Sequence, residues 1–186
     1  MFWKRKGKPT TQGREGFRVP DGRRVYAIGD IHGRDDLFDQ IIGLIRADNA
    51  NRGEARVSII LLGDLIDRGP QSAAVVERAM ELRREFPGTR LIIGNHEECF
   101  LAALTGDVGR VRYFMRIGGE ATVRSYWNDH VSFANASFET IAERLPALVP
   151  QEHIDFLGLG EDLIEIGDYA FVHAGIRPGV PLAEQA

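Results

Sequence analysis

Asp30, His32, Asp64, Asp67, Arg68, Asn95, His96 and His173 are the residues whose types and spacing could do chemistry. They fall in four short clusters: Gly29-Asp30-Ile31-His32-Gly33, Gly63-Asp64-Leu65-Ile66-Asp67-Arg68-Gly69, Gly94-Asn95-His96-Glu97 and His173-Ala174-Gly175. Three of the five histidines in the chain lie in them. Carboxylates, imidazoles and an amide oxygen suit a borderline-to-hard divalent metal. The one cysteine, Cys99, offers no competing thiolate set.

The chemistry can be assembled from these groups. Asp30 and His32 stand two apart on an expected extended turn, so both side chains can reach one side. Asp64 can bridge two ions through its two oxygens, and Asn95 with His173 can complete the second shell. Such ions stand about 3.5–4 Å apart in two-metal hydrolytic sites. Two carboxylates against two dications leave an excess of positive charge, which draws a phosphate dianion and acidifies a bridging water. Asparagine at 95 preserves that excess. His96 can protonate a leaving oxygen as general acid. Asp67 can orient His96, and Arg68 can grip phosphate oxygens through its planar fork.

The elements that must position these groups follow from the pattern around them. Each cluster succeeds a short apolar run: Arg24–Ile28, Val57–Leu62, Arg90–Ile93 and Tyr169–Val172. β-branched runs bounded by glycine read as buried strands. Helices are expected between them. One carries Leu37, Phe38, Ile41, Ile42, Leu44 and Ile45, with Asp35 or Asp36 as N-cap. Another runs from Pro70 through Val75, Val76, Ala79, Met80 and Leu82 to the stop at Pro87-Gly88. Alternation of this kind implies βαβ units and an α/β fold, with ligands beyond the carboxyl ends of the strands. A helical insertion is expected over about 100–160, with Arg110–Arg116, Glu120–Trp127 and Phe138–Leu145 as its helices. Tyr126, Trp127, Phe133 and Phe138 read as its core.

At 186 residues the chain is about one domain, able to bury a core without disulfides. The net charge of −4 conceals an asymmetry, for the first 24 residues hold eight basic and two acidic side chains. Residues 1–22 read as a flexible basic tail, and residues 23–186 as the domain. The acidic body argues against nonspecific DNA binding as the main role, and no specific nucleic-acid partner is expected. No apolar run approaches a membrane span, so a cytoplasmic protein is expected.

The blocks GDIHG at 29–33, GDLIDRG at 63–69 and GNHE at 94–97 resemble the signature of the phosphoprotein phosphatase family, of bacterial type, within the calcineurin-like metallophosphoesterases. HAG at 173–175 resembles that family's next block, and the likeness covers about residues 23–176. The resemblance implies a four-layer α/β/β/α sandwich of two mixed sheets. It also implies two divalent ions, usually manganese, with iron or zinc as the other candidates. Asp30, His32 and Asp64 would bind one ion; Asp64, Asn95 and His173 would bind the other. His96 with Asp67 would serve the leaving group, and Arg68, Asn95 and His96 would contact substrate. A bridging hydroxide would attack phosphorus in a phosphoprotein or small phosphomonoester.

Asp67 favours the serine/threonine protein phosphatase branch, because symmetrical dinucleoside tetraphosphate hydrolases generally lack an aspartate before this arginine. That hydrolase remains one alternative. The family supplies a further metal-binding histidine some tens of residues beyond HAG, and none follows His173 here. The resemblance therefore implies that the C-terminal part of the domain is missing, and a truncated, inactive metal-binding module is the other alternative. His130 and His153 are the spare histidines and read as non-ligands. Glu97 and Glu98 read as first-turn helix residues, and Cys99 as a structural thiol.

Overall fold

The structure, a computed structural model, describes residues 16–185. Strands β1 (Arg23–Ile28), β2 (Arg56–Leu61) and β3 (Arg90–Leu91) form a parallel sheet in that order. Arg23 pairs with Arg56 and Ile28 with Leu61, so β1 and β2 are in register along their whole length. Helices α1 (Asp35–Ala50) and α2 (Ser72–Glu85) make the two crossovers. Strands β4 (Ile164–Ile166) and β5 (Tyr169–Phe171) form an antiparallel hairpin.

The apolar run of β2 is continuous because both faces of the sheet are covered. Ile59 and Leu61 point into the main core with Phe38, Ile42, Val75, Val76 and Leu82 of the two crossover helices. Ile60 points the other way and packs with Ile92, Ile164 and Ile166. That small second core joins the hairpin to the parallel sheet, giving an α/β sandwich of two sheets with helices against the first. β4 was not anticipated. Its Ile-Glu-Ile alternation is three residues long, too short to stand out.

Local details depart from the sequence reading in instructive ways. Arg34 occupies the N-cap of α1, without a side-chain cap. Asp35 and Asp36 lie instead in its first turn, where the helix dipole favours acids. Asp35 accepts from Arg78 Nε at 2.5 Å, tying α1 to α2. Of the six apolar residues on α1, Phe38, Ile42 and Ile45 are buried, while Leu37, Ile41 and Leu44 are exposed. α2 starts at Ser72, two residues after Pro70.

The helical segment begins earlier than expected, with α3 (Asn95–Ala103) rising directly from the third cluster. It continues through α4 (Val108–Phe114), a kink at Met115–Gly119 where Gly118 leaves the helical conformation, α5 (Glu120–Tyr126) and α6 (His130–Ala134). α7 (Phe138–Leu148) and α8 (Gln151–Leu157) complete it. Tyr126, Trp127 and Phe133 are buried as read. Phe138 is not core: it is partly exposed, beneath the Arg112 guanidinium. Of the basic N-terminal stretch, residues 1–15 lie outside the described residues. Arg18 exchanges two backbone-donated hydrogen bonds with Asp168, at 2.8 and 3.0 Å. No described helix is long and apolar enough to cross a membrane.

Candidate metal centre

The four clusters meet at the carboxyl ends of β1, β2, β3 and β5. Backbone hydrogen bonds join the first two loops: the Ile31 and His32 amides donate to the Asp64 carbonyl, and the Gly33 amide to the Leu65 carbonyl. Among the described residues, the non-glycine residues with positive φ are His32, Asp64, Asp67 and Arg68. All four are site residues. The turn from Asp30 to His32 is therefore not the extended one expected, because His32 sits at φ +46°. Left-handed backbone at such residues costs on the order of 1–3 kcal/mol each and persists only where the surroundings hold it.

Glu97 does much of that holding. Its carboxylate is fully buried and accepts the backbone N–H groups of Asp64 (2.8 Å), Gly94 (3.0 Å), Leu65 (2.8 Å) and Ile66 (3.3 Å). Burial pushes its carboxyl up, as does the nearby Asp64 charge, and the amide donors pull it back. The Gly94 bond is the capping interaction that its first-turn position suggested. The other three had no signal in the sequence.

Asp64 divides the site. Its Oδ2 faces His32 Nε2 at 3.7 Å, and its Oδ1 faces His173 Nε2 at 3.4 Å. Asp30 lies 4.0 Å from His32 Nε2, and Asn95 Oδ1 lies 3.2 Å from His173 Nε2. His32 Nδ1 is 2.9 Å from the Ile66 carbonyl, and His173 Nδ1 is 2.7 Å from that of Leu62. A carbonyl only accepts, so each Nδ1 donates, and in the neutral ring each Nε2 then carries a lone pair turned toward Asp64. His32 Nε2 is buried and has no hydrogen-bond partner. A buried lone pair left facing carboxylates fits a cation between them. His32, Asp64 and His96 form one cluster and Asp30, Asp64 and His173 another, overlapping at Asp64 and able to hold a pair of metal ions.

His96 stands beside the first cluster, buried, with Nδ1 2.6 Å from Asp67 Oδ2. Its Nε2 lies 3.3 Å from Arg68 Nη2 and 3.9 Å from Asp64 Oδ2. Arginine only donates, so Nε2 accepts there. Burial pushes the Asp67 carboxyl up, while hydrogen bonds from Thr122 and His96 act against it. Thr122 and Ser72 are the buried hydroxyls around Asp67 that sequence reasoning missed.

Neither spare histidine joins the centre. His153 is buried against α5, with Nδ1 2.9 Å from Tyr126 Oη and Nε2 3.2 Å from Glu77. Burial also pushes the Cys99 thiol up, which suits a structural role.

Gly94 shows how tightly the loops close on Asp64. A Cβ there would stand 2.5 Å from the Asp64 amide nitrogen and closer still to its Oδ1. Gly94→Ala is expected to lower stability by about 1–3 kcal/mol and to displace the carboxylate. Thermal unfolding and calorimetric titration with manganese read both effects. Unchanged melting and unchanged titration would contradict this account of the loop.

A fold of two sheets with its histidines and aspartates at the strand ends defines a metallophosphoesterase class. The chain belongs to the calcineurin-like phosphoesterase family, whose model matches residues 23–182. It is similar to the symmetrical bis(5'-nucleosyl)-tetraphosphatase of Acidovorax sp. strain JS42, at 38% identity over 82 residues. That match covers 44% of this chain and 26% of the relative. The enzyme of the same name from Chromobacterium violaceum is 29% identical over 154 residues, covering 83% of this chain and 44% of the relative. That from Nitrosospira multiformis is 27% identical over the same length. A crystal structure provisionally described as a diadenosine tetraphosphatase superposes with a TM-score of 0.54 at 23% identity. It covers 91% of this chain and 58% of that one, and it speaks for the fold. The chain spans less than half the length of the curated relatives it matches.

These relatives correct one expectation. The serine/threonine protein phosphatase branch, inferred from Asp67, is overturned: the matches carry the tetraphosphatase name. The physical reason lies in what Asp67 touches. It is fully buried against His96, Thr122 and Ser72, so it is not placed to distinguish one departing group from another.

Proposed function

We propose that this chain carries the catalytic centre of a hydrolase that splits dinucleoside tetraphosphates symmetrically into two nucleoside diphosphates. The observation that carries the reading is Asp64, one carboxylate whose two oxygens face two separate imidazoles. The relatives' shared name supports the substrate class. In this reading Asp30, His32 and Asp64 hold one divalent ion, and Asp64, Asn95 and His173 hold the other. The donor set of carboxylate, imidazole and amide oxygen suits manganese, with iron and zinc as alternatives. Bound there, the two ions would supply an acidified water and neutralise phosphate charge.

The chain's own residues do the rest. Arg68 presents its fork beside His96 and takes the phosphate oxygens, with Asn95 and His96 lining the same side. A bound polyphosphate competes for the guanidinium and leaves His96 Nε2 open. Water oxygen joins one central phosphorus as the water gives up a proton to solvent, the central P–O–P bond breaks, and His96, its Nε2 protonated from solvent once the guanidinium has turned to phosphate, delivers that proton to the departing phosphate oxygen. Asp67 holds the imidazole in place by accepting from Nδ1. The test is incubation with diadenosine tetraphosphate and manganese. Hydrolysis that stops on chelation supports the reading, and intact substrate with a folded, manganese-loaded chain contradicts it.

A further inference from the structure

The Asp67-Arg68 turn carries two consecutive non-glycine residues in left-handed backbone, at φ +73° and +64°. Both of their amides are held from the helical segment. The Asp67 N–H donates to Thr122 Oγ1 at 2.9 Å, and the Arg68 N–H to the Gly118 carbonyl at 3.2 Å. Gly118 breaks the helical backbone between α4 and α5 at φ +120°, and a Cβ on it would press against Arg68 Cγ at 3.3 Å.

Thr122 makes a second contact to the same residue. Its hydroxyl donates to Asp67 Oδ1 at 2.5 Å, while Asp67 Oδ2 takes His96 Nδ1. Ser72 Oγ lies 2.9 Å from Thr122 Oγ1 and accepts the Asp67 N–H at 3.1 Å. Thr122 has one proton. With that proton on Asp67, the Ser72 hydroxyl donates to Thr122, and every polar atom of the group is satisfied. Asp67, Ser72 and Thr122 are all fully buried, so water cannot stand in for a lost donor.

We propose that Thr122 is a positioning residue for the Asp67–His96 pair, fixing the carboxylate rotamer that aims His96 Nε2 into the site. The proposal rests on the reading of His96 as proton donor. It gives the helical segment a function in the chemistry beyond covering the site.

The test compares Thr122→Val with Thr122→Ser. Valine keeps the volume and removes the hydroxyl. The Asp67 N–H then still has Ser72, while the Asp67 carboxylate and the Ser72 hydroxyl each lose a partner. In the manganese-loaded chain, Thr122→Val is expected to lower kcat on diadenosine tetraphosphate about tenfold. KM stays within about twofold, and Thr122→Ser restores kcat. A second readout needs neither metal nor turnover: the imidazole N–H resonance of His96 in the 15N-labelled, metal-free chain. It is expected to move in Thr122→Val and to hold its position in Thr122→Ser. An unmoved resonance in folded Thr122→Val overturns the proposal, as does a serine variant as impaired as the valine one. Should valine prevent folding, the same resonance is read in Thr122→Ala, where a shift is expected and none overturns the proposal. If the unaltered chain shows no turnover, the proposed function fails, and the resonance still decides the role of Thr122.

Discussion

His96→Asn is expected to lower kcat on diadenosine tetraphosphate by about 10²-fold, with KM little changed. His96 is buried, its Nδ1 is occupied by Asp67, and its Nε2 opens toward Asp64 and Arg68. A ring so placed can give a proton only from Nε2, where the departing oxygen would lie. General acids contribute about 10²–10⁴-fold, and the share depends on how basic the leaving oxygen is. A departing nucleoside diphosphate is a phosphate oxygen with a second pKa of about 6. It leaves far more readily than an alkoxide, which puts the loss at the lower end. Steady-state rates at matched metal content check this. A variant with undiminished kcat would remove His96 from the reaction.

Glu97→Ala is expected to cost about 3–5 kcal/mol of stability and to abolish metal binding. The carboxylate takes four backbone N–H groups from two loops, two on each oxygen. Deleting it leaves buried donors without acceptors, and each such donor costs about 1–3 kcal/mol before relaxation. It also frees Asp64 from its strained backbone, since the Asp64 amide is one of the four. Glu97→Gln is the sharper experiment. Its amide would retain one accepting oxygen and turn an NH₂ toward N–H groups that themselves donate. A comparable loss is therefore expected in urea unfolding despite nearly unchanged size. A glutamine variant within about 0.5 kcal/mol of the parent would show that the carboxylate is not what holds the loops.

The centre is legible in the sequence because each of its loops follows a strand. Glycine-bounded apolar runs mark Arg24–Ile28 and Val57–Leu62, and the polar residues after them had to lie at one edge of the sheet. What escaped reading is what comes from far along the chain. Glu97 reaches Asp64 across 33 positions, and Thr122 reaches Asp67 across 55. No local spacing announces either contact. Backbone strain was equally hidden: histidine and aspartate at φ +46° and +53° give no sign in a sequence, whereas glycine would. β4 escaped because three residues cannot show a period.

The branch of the family was misread for a related reason. Asp67 reads as a motif difference between the two branches, yet its side chain is buried among His96, Thr122 and Ser72. Residues that orient a general acid are common ground for any phosphate ester or anhydride whose departing oxygen needs protonation. Substrate choice belongs to surfaces beyond the shared centre, and short motifs do not describe them.

The most direct measurement is the product pattern. The manganese-loaded chain is mixed with diadenosine tetraphosphate, and the nucleotides are separated by anion exchange as hydrolysis proceeds. ADP as the sole product is expected, since the proposed reaction breaks the central P–O–P bond. AMP with ATP, or intact substrate in the presence of a folded, metal-loaded chain, would contradict the account.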